Sequence, residues 1–202
     1  HGLGANGYDF PPIVPELGLP GDHRIRFVFP HAPSIPVTVN GGMVMPAWYD
    51  ILSMDFDRRV DEGGVRASGA ALEALVAREM ERGVAPGRIV LAGFSQGGAI
   101  ALHTGLRFPE RLAGIMALST YIAADCDLEA ERAPANADVP VLQCHGTEDP
   151  VVGFDKGEAA RARLEGLGYG VEWHPFRMEH QVIPAEIVVM GAWMRRVLPA
   201  LD

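Results

Sequence analysis

The sequence predicts an α/β protein with a mostly parallel central sheet and helices on both faces. Short apolar, β-branched runs alternate with helical stretches from about residue 84 onward. Most of these runs are apolar throughout, as strands buried on both faces are. Parallel strands in turn require crossover helices between them.

Taken in chain order, Arg24 to Phe29 reads as a first strand, ending in Pro30. Val65, Leu72, Leu75, Val76 and Met80 fall on one helical stripe, so a helix is expected over Val65 to Met80, stopped by Gly83. Arg88 to Ala92 is the next strand, and Gly97 to Phe108 the helix that follows it, halted before Pro109. Leu112 to Leu118 and Val139 to Cys144 are two further strands. The acidic, alanine-rich stretch Asp125 to Asp138 between them reads as a surface loop or short excursion. Phe154 to Leu167 has helical spacing and Gly168 as its C-terminal stop, and Val171 to Phe176 alternates like a strand. Pro184 opens a final helix whose last turns carry Arg195 and Arg196, placed to complement the helix dipole.

The 202 residues fit one domain, residues 1–202, with a substantial core. Hydrophobic residues make up 48% and charged residues 21%, the balance of a globular protein rather than a disordered one. A formal net charge of -9 repels phosphate backbones, so no nucleic-acid partner is expected. No apolar run approaches the roughly 18 residues of a membrane span. Cys126 and Cys144 are far apart, and the histidines show no metal-ligand spacing, so neither a metal nor another cofactor is expected. Cys144 lies in an apolar run and reads as a small core residue. The compartment is left open by the sequence, the cytoplasm being the favoured expectation.

The chemistry concentrates at Gly93-Phe94-Ser95-Gln96-Gly97-Gly98, a G-x-S-x-G pattern set between a strand and a helix. A nucleophilic serine has to stand on a turn too tight for flanking side chains, which is the use of Gly93 and Gly97. The helix start beyond it offers free N–H groups to developing negative charge, so the Gln96 amide is a natural oxyanion donor. A serine hydroxyl also needs a base, and the base an orienting acid, here in the chain order serine, acid, histidine. The strand Val139 to Cys144 delivers Glu148 and Asp149 as candidate acids, with His145 at its end. His180 lies in the loop after the last strand and is the candidate base, whereas His174 sits within that strand. His1-Gly2-Leu3-Gly4-Ala5-Asn6-Gly7 is a glycine-rich loop of the kind that supplies a second oxyanion donor.

These segments, with Phe29-Pro30-His31-Ala32-Pro33, Asn40-Gly41-Gly42-Met43, Ala47-Trp48-Tyr49-Asp50, His145 to Val152 and Met178-Glu179-His180, resemble the carboxylesterase and acyl-protein thioesterase family of α/β-hydrolases. The resemblance covers nearly the whole chain. It implies an α/β-hydrolase fold and a triad of Ser95, Asp149 and His180, with Asp149 preferred to Glu148 because the family's acid directly precedes a Pro-Val-Val-like segment. It further implies an oxyanion hole from the amides of Leu3 and Gln96, and a substrate-binding wall that includes Met43, Met45 and Trp48. The expected activity is that of a serine carboxylesterase on small-molecule esters or thioesters, through an acyl-enzyme. The alternatives are a lysophospholipase, an acyl-protein thioesterase, or a non-catalytic binding protein of this fold. Pairing as a homodimer is a further expectation by resemblance. Two departures stand out. The apolar strand that members carry before the His-Gly-Leu-Gly loop is missing from this chain, and Glu179 replaces the usual glycine of the last motif.

Overall fold

The structure, a computed structural model, describes residues 1–21, 24–53 and 60–200. Its first regular pair is an antiparallel hairpin, β1 (Ser34–Val37) and β2 (Met43–Pro46), with Val37 opposite Met43. The sequence reading had no hairpin here. The turn between the strands carries Gly41 and Gly42 at φ 66° and 79°, conformations that favour glycine.

Helix α1 (Glu62–Glu81) begins three residues before the expected stripe, because Asp61 caps it, its side chain accepting the Gly64 N–H at 2.9 Å. Then come β3 (Val90–Phe94), α2 (Gln96–Arg107), β4 (Gly114–Leu118), the short α3 (Leu128–Glu131), β5 (Val141–Gly146), α4 (Phe154–Gly166), β6 (Val171–Phe176) and α5 (Pro184–Val197). The four later strands form one parallel sheet in the order β3-β4-β5-β6. This is the α/β-hydrolase architecture expected.

Alternation along the strands sorts the core into two layers. Leu91, Ile115, Ala117 and Val141 pack with Val76 of α1, Ala101 and Leu102 of α2, and Leu164 of α4. Met116, Leu118, Leu142 and Cys144 face Ile187, Met190, Trp193 and Met194 of α5. Both faces of β4 and β5 are thereby covered, and every residue in these two strands is buried. Cys144 is a buried free thiol in this layer and Cys126 an exposed one. At the β6 edge Pro175 is tolerated because no further strand pairs there among the described residues.

The expected strand Arg24 to Phe29 is not one. Its residues keep the period-two pattern, with Ile25 and Phe27 packed toward α5 and Arg24, Arg26 and Val28 exposed. Yet no strand lies beside it among the described residues. A cavity of about 870 Å³ is lined by this segment, by β3 and by Leu72, Leu75 and Val76 of α1. Strands pair at about 4.8 Å, so the alternation survives without the hydrogen bonds that would make it a strand. Among the described residues β3 is therefore the second edge of the sheet.

Candidate active site

β3 ends in a turn that only glycines can close. A Cβ on Gly93 would stand 2.1 Å from the carbonyl carbon and oxygen of Gly97, and one on Gly98 would meet the Thr120 side chain at 2.8 Å. Between these glycines Ser95 caps α2 with φ 56° and ψ −123°, a conformation costly for any residue with a side chain. The sheet clamps it there. The Ser95 N–H donates to the Leu118 carbonyl at 2.9 Å, and the Ser95 carbonyl accepts the Thr120 hydroxyl at 2.7 Å.

β5 and β6 deliver the other two side chains. Beyond β5, Oδ1 of Asp149 accepts the N–H groups of Val151 and Val152 at 2.9 Å, a tight local turn that fixes the carboxylate. Its other oxygen, Oδ2, accepts the Nδ1–H of His180 at 2.7 Å. The loops after β5 and β6 are stitched together by two backbone bonds, Thr147 N–H to the Phe176 carbonyl and Glu148 N–H to the Met178 carbonyl. The His180 ring lies 4.7 Å, centroid to centroid, from the ring of Phe94, the residue before Ser95. With its Nδ1–H committed to the carboxylate, His180 presents Nε2 as an acceptor.

The rival residues are spoken for. Glu148 is exposed and pairs with Arg177 at 2.9 Å. His174 pairs with Glu172 at 3.1 Å. His145 is wholly buried and donates its Nε2–H to the Val152 carbonyl at 2.9 Å, which holds it 3.8 Å from Asp149 Oδ2. Burial pushes its pKa down, so it stays neutral. Glu179 is exposed and forms no ion pair with His180 among the described residues.

The loop His1 to Gly4 lies against the elbow, where a Cβ on Gly2 would touch Ser95 Cβ at 3.3 Å. Among the described residues the Leu3 N–H has no acceptor, while the next amide, Gly4, donates to the Pro46 carbonyl at 2.8 Å. Gln96, as the first residue of α2, has an N–H left free by helix geometry. Of the three expected wall residues, Trp48 packs on the His1 ring at 5.0 Å, and Met45 Sδ lies 3.8 Å from a Cβ placed on Gly4. Met43 instead points away, 64% exposed on the hairpin.

Sequence reasoning missed a set of side-chain bonds behind this loop. Gln96 Oε1 accepts the Trp48 N–H at 3.1 Å, and its Nε2 donates to the Tyr49 carbonyl at 2.8 Å. The Trp48 indole Nε1–H donates to the His1 carbonyl at 2.9 Å, and the Ser68 hydroxyl donates to the Trp48 carbonyl. Gln96 and Trp48 were visible only as a helix start and a wall residue, since each partner lies tens of residues away.

Comparison with known proteins gives the family. A profile of the family described as Phospholipase/Carboxylesterase matches residues 1–197. The chain is 37% identical to Acyl-protein thioesterase 1 of Gibberella zeae over 208 residues, covering 98% of this chain and 88% of that protein. The same identity holds to Acyl-protein thioesterase 1 of Neurospora crassa, with 98% and 85% covered. Among solved structures, SOBER1 of Arabidopsis thaliana superposes with a TM-score of 0.93 at 29% identity, over 98% of this chain and 96% of that one.

Proposed function

The chain belongs to the phospholipase/carboxylesterase family and is a hydrolase of ester or thioester bonds, and from that premise we propose that it works as a serine carboxylesterase through Ser95, His180 and Asp149. The observation that carries this is the 2.7 Å bond from His180 Nδ1 to Asp149 Oδ2, with the His180 ring 4.7 Å from the ring of Phe94, the residue before a serine held at φ 56°. In the proposed cycle His180 Nε2 takes the Ser95 proton as the hydroxyl attacks the substrate carbonyl, and Asp149 stabilises the resulting imidazolium. The amides of Leu3 and Gln96 hold the oxyanion. His180 then returns the proton to the leaving alcohol or thiol, and water repeats the sequence on the acyl-serine. Trp48 and Met45 border the site through their contacts with His1 and Gly4.

A fluorophosphonate probe tests the reading, since it phosphonylates only an activated serine, with loss of fluoride. Labelling confined to Ser95 and abolished by His180→Ala is expected; labelling that survives His180→Ala would overturn it. A second reading, an acyl-protein thioesterase, draws on the names of the two fungal relatives. Hydrolysis rates from acetyl to palmitoyl esters and thioesters separate the two. Preference for a long-chain thioester supports the second reading, and preference for short oxygen esters the first.

A further inference from the structure

A peptide group is planar and trans, so its C=O and N–H point in opposite directions, and fixing one end aims the other. The peptide joining Gly2 to Leu3 carries the free Leu3 N–H at one end and the Gly2 carbonyl at the other. That carbonyl accepts two bonds, from His1 Nδ1–H at 3.0 Å and from the Ala5 N–H at 3.3 Å.

The His1 ring is held on two further sides, and its backbone carbonyl on a third. Its Nε2 accepts the Ala32 N–H at 3.1 Å. A carbonyl on Nδ1 and an N–H on Nε2 leave one arrangement, the neutral ring protonated at Nδ1. The Trp48 ring packs 5.0 Å from it, and the Trp48 Nε1–H grips the His1 carbonyl at 2.9 Å. Trp48 is itself tied by its N–H to the side chain of Gln96, the residue after the serine. The chain of contacts thus runs from one oxyanion amide to the other.

We propose that the His1 imidazole is a positioning residue that aims the Leu3 N–H through the Gly2 carbonyl, with Trp48 as its anchor. This rests on the reading of Leu3 as an oxyanion donor. Donors pointed in advance cost no reorganisation when charge develops, which is where their catalytic effect arises. His1 acts through the peptide and touches no substrate atom.

His1→Phe keeps a ring against Trp48 and removes both ring nitrogens; Trp48→Phe removes the indole N–H and one of its two fused rings while keeping an aromatic ring there. Losing one oxyanion donor outright lowers kcat by about 100- to 1000-fold, so a misaimed donor in His1→Phe lowers it by roughly 10-fold or more. For Trp48→Phe a fall of roughly 3-fold or more follows from the same bound. In His1→Phe the KM for p-nitrophenyl acetate stays within about 2-fold, because the effect is confined to the transition state. The Ki of an alkylboronic acid, whose tetrahedral adduct places an oxygen in the hole, rises by the same factor as kcat/KM falls. The acid limb of the kcat/KM profile does not move, and His1→Asn, whose Nδ2–H reaches the Gly2 carbonyl, recovers most of the loss.

Full kcat in both Phe variants overturns the proposal, as does a kcat loss with unchanged boronate affinity. If His1→Phe fails to fold by circular dichroism, Trp48→Phe and His1→Asn decide alone. Turnover retained by Ser95→Ala strikes instead at the serine mechanism. An inert Ser95→Ala beside a fully active His1→Phe strikes at this inference only.

Discussion

Nδ1 of His180 donates to Oδ2 of Asp149 at 2.7 Å, while Oδ1 of the same carboxylate is saturated by the N–H groups of Val151 and Val152 at 2.9 Å. Each carboxylate oxygen therefore has its own task, one holding the loop and the other holding the His180 imidazole. Asp149→Asn leaves the shape but offers an N–H where an acceptor is needed, forcing the imidazole into the wrong tautomer. A fall in kcat of about 10,000-fold is expected in p-nitrophenyl acetate assays. A fall under about 10-fold would remove Asp149 from the mechanism.

Ser95→Ala is expected to lower kcat by about a millionfold. Ser95→Gly is equally inactive but carries a second expectation, because glycine adopts φ 56° without strain. Its unfolding midpoint in urea should correspond to a gain of about 1 kcal/mol over the parent chain. A midpoint corresponding to a loss of about 1 kcal/mol, the cost of glycine in the unfolded chain alone, would mean the elbow stores no strain.

Glu186, in the first turn of α5, is wholly buried, and neither carboxyl oxygen has a full hydrogen bond among the described residues. Burial pushes its pKa up to about 8, the Ile183 backbone N–H pulling the other way. The folded state holds this proton where the unfolded chain has released it, between a pH of about 4.5 and about 8. The stabilising contribution is complete below that window and is lost as pH rises through it, by at most about 1.4 kcal/mol per pH unit. Glu186→Gln keeps the shape without the proton, so the melting-temperature difference between variant and parent should widen from pH 5 to pH 8 and then level off. A difference independent of pH would contradict the assignment.

His145→Leu removes the donor to the buried Val152 carbonyl. The unsatisfied acceptor costs about 1–3 kcal/mol, read from urea unfolding. Because that carbonyl belongs to the turn that fixes Asp149, kcat should fall with KM nearly constant. Unchanged kcat despite the lost stability would confine His145 to the core.

Much of this arrangement was readable from residue order because the chemistry is local at each point. Gly93 to Gly98 contains the whole elbow, and Asp149 is set by its own next three residues. The parallel strands β4 and β5 announced themselves by unbroken apolar runs. The hairpin β1–β2 was missed although Asn40-Gly41 marks a turn, because Pro36 and Pro46 interrupt the usual strand pattern. Arg24 to Phe29 was overread, since alternation shows which side chains turn inward but not whether a neighbour lies close enough to bond. The bonds joining His1, Trp48 and Gln96 are set wholly by tertiary proximity, and no spacing rule encodes them.

The stitching of the loops after β5 and β6 has a mechanical consequence. The carboxylate and the imidazole ride on one riveted body, whereas the hydroxyl rides on the elbow, which is tied to Leu118 and Thr120. β4, which holds the elbow, is itself paired to β5, so the two supports share one sheet. The ring contact between Phe94 and His180, at 4.7 Å, is where the β3 elbow meets the loop after β6, so packing on either side sets the spacing between the two.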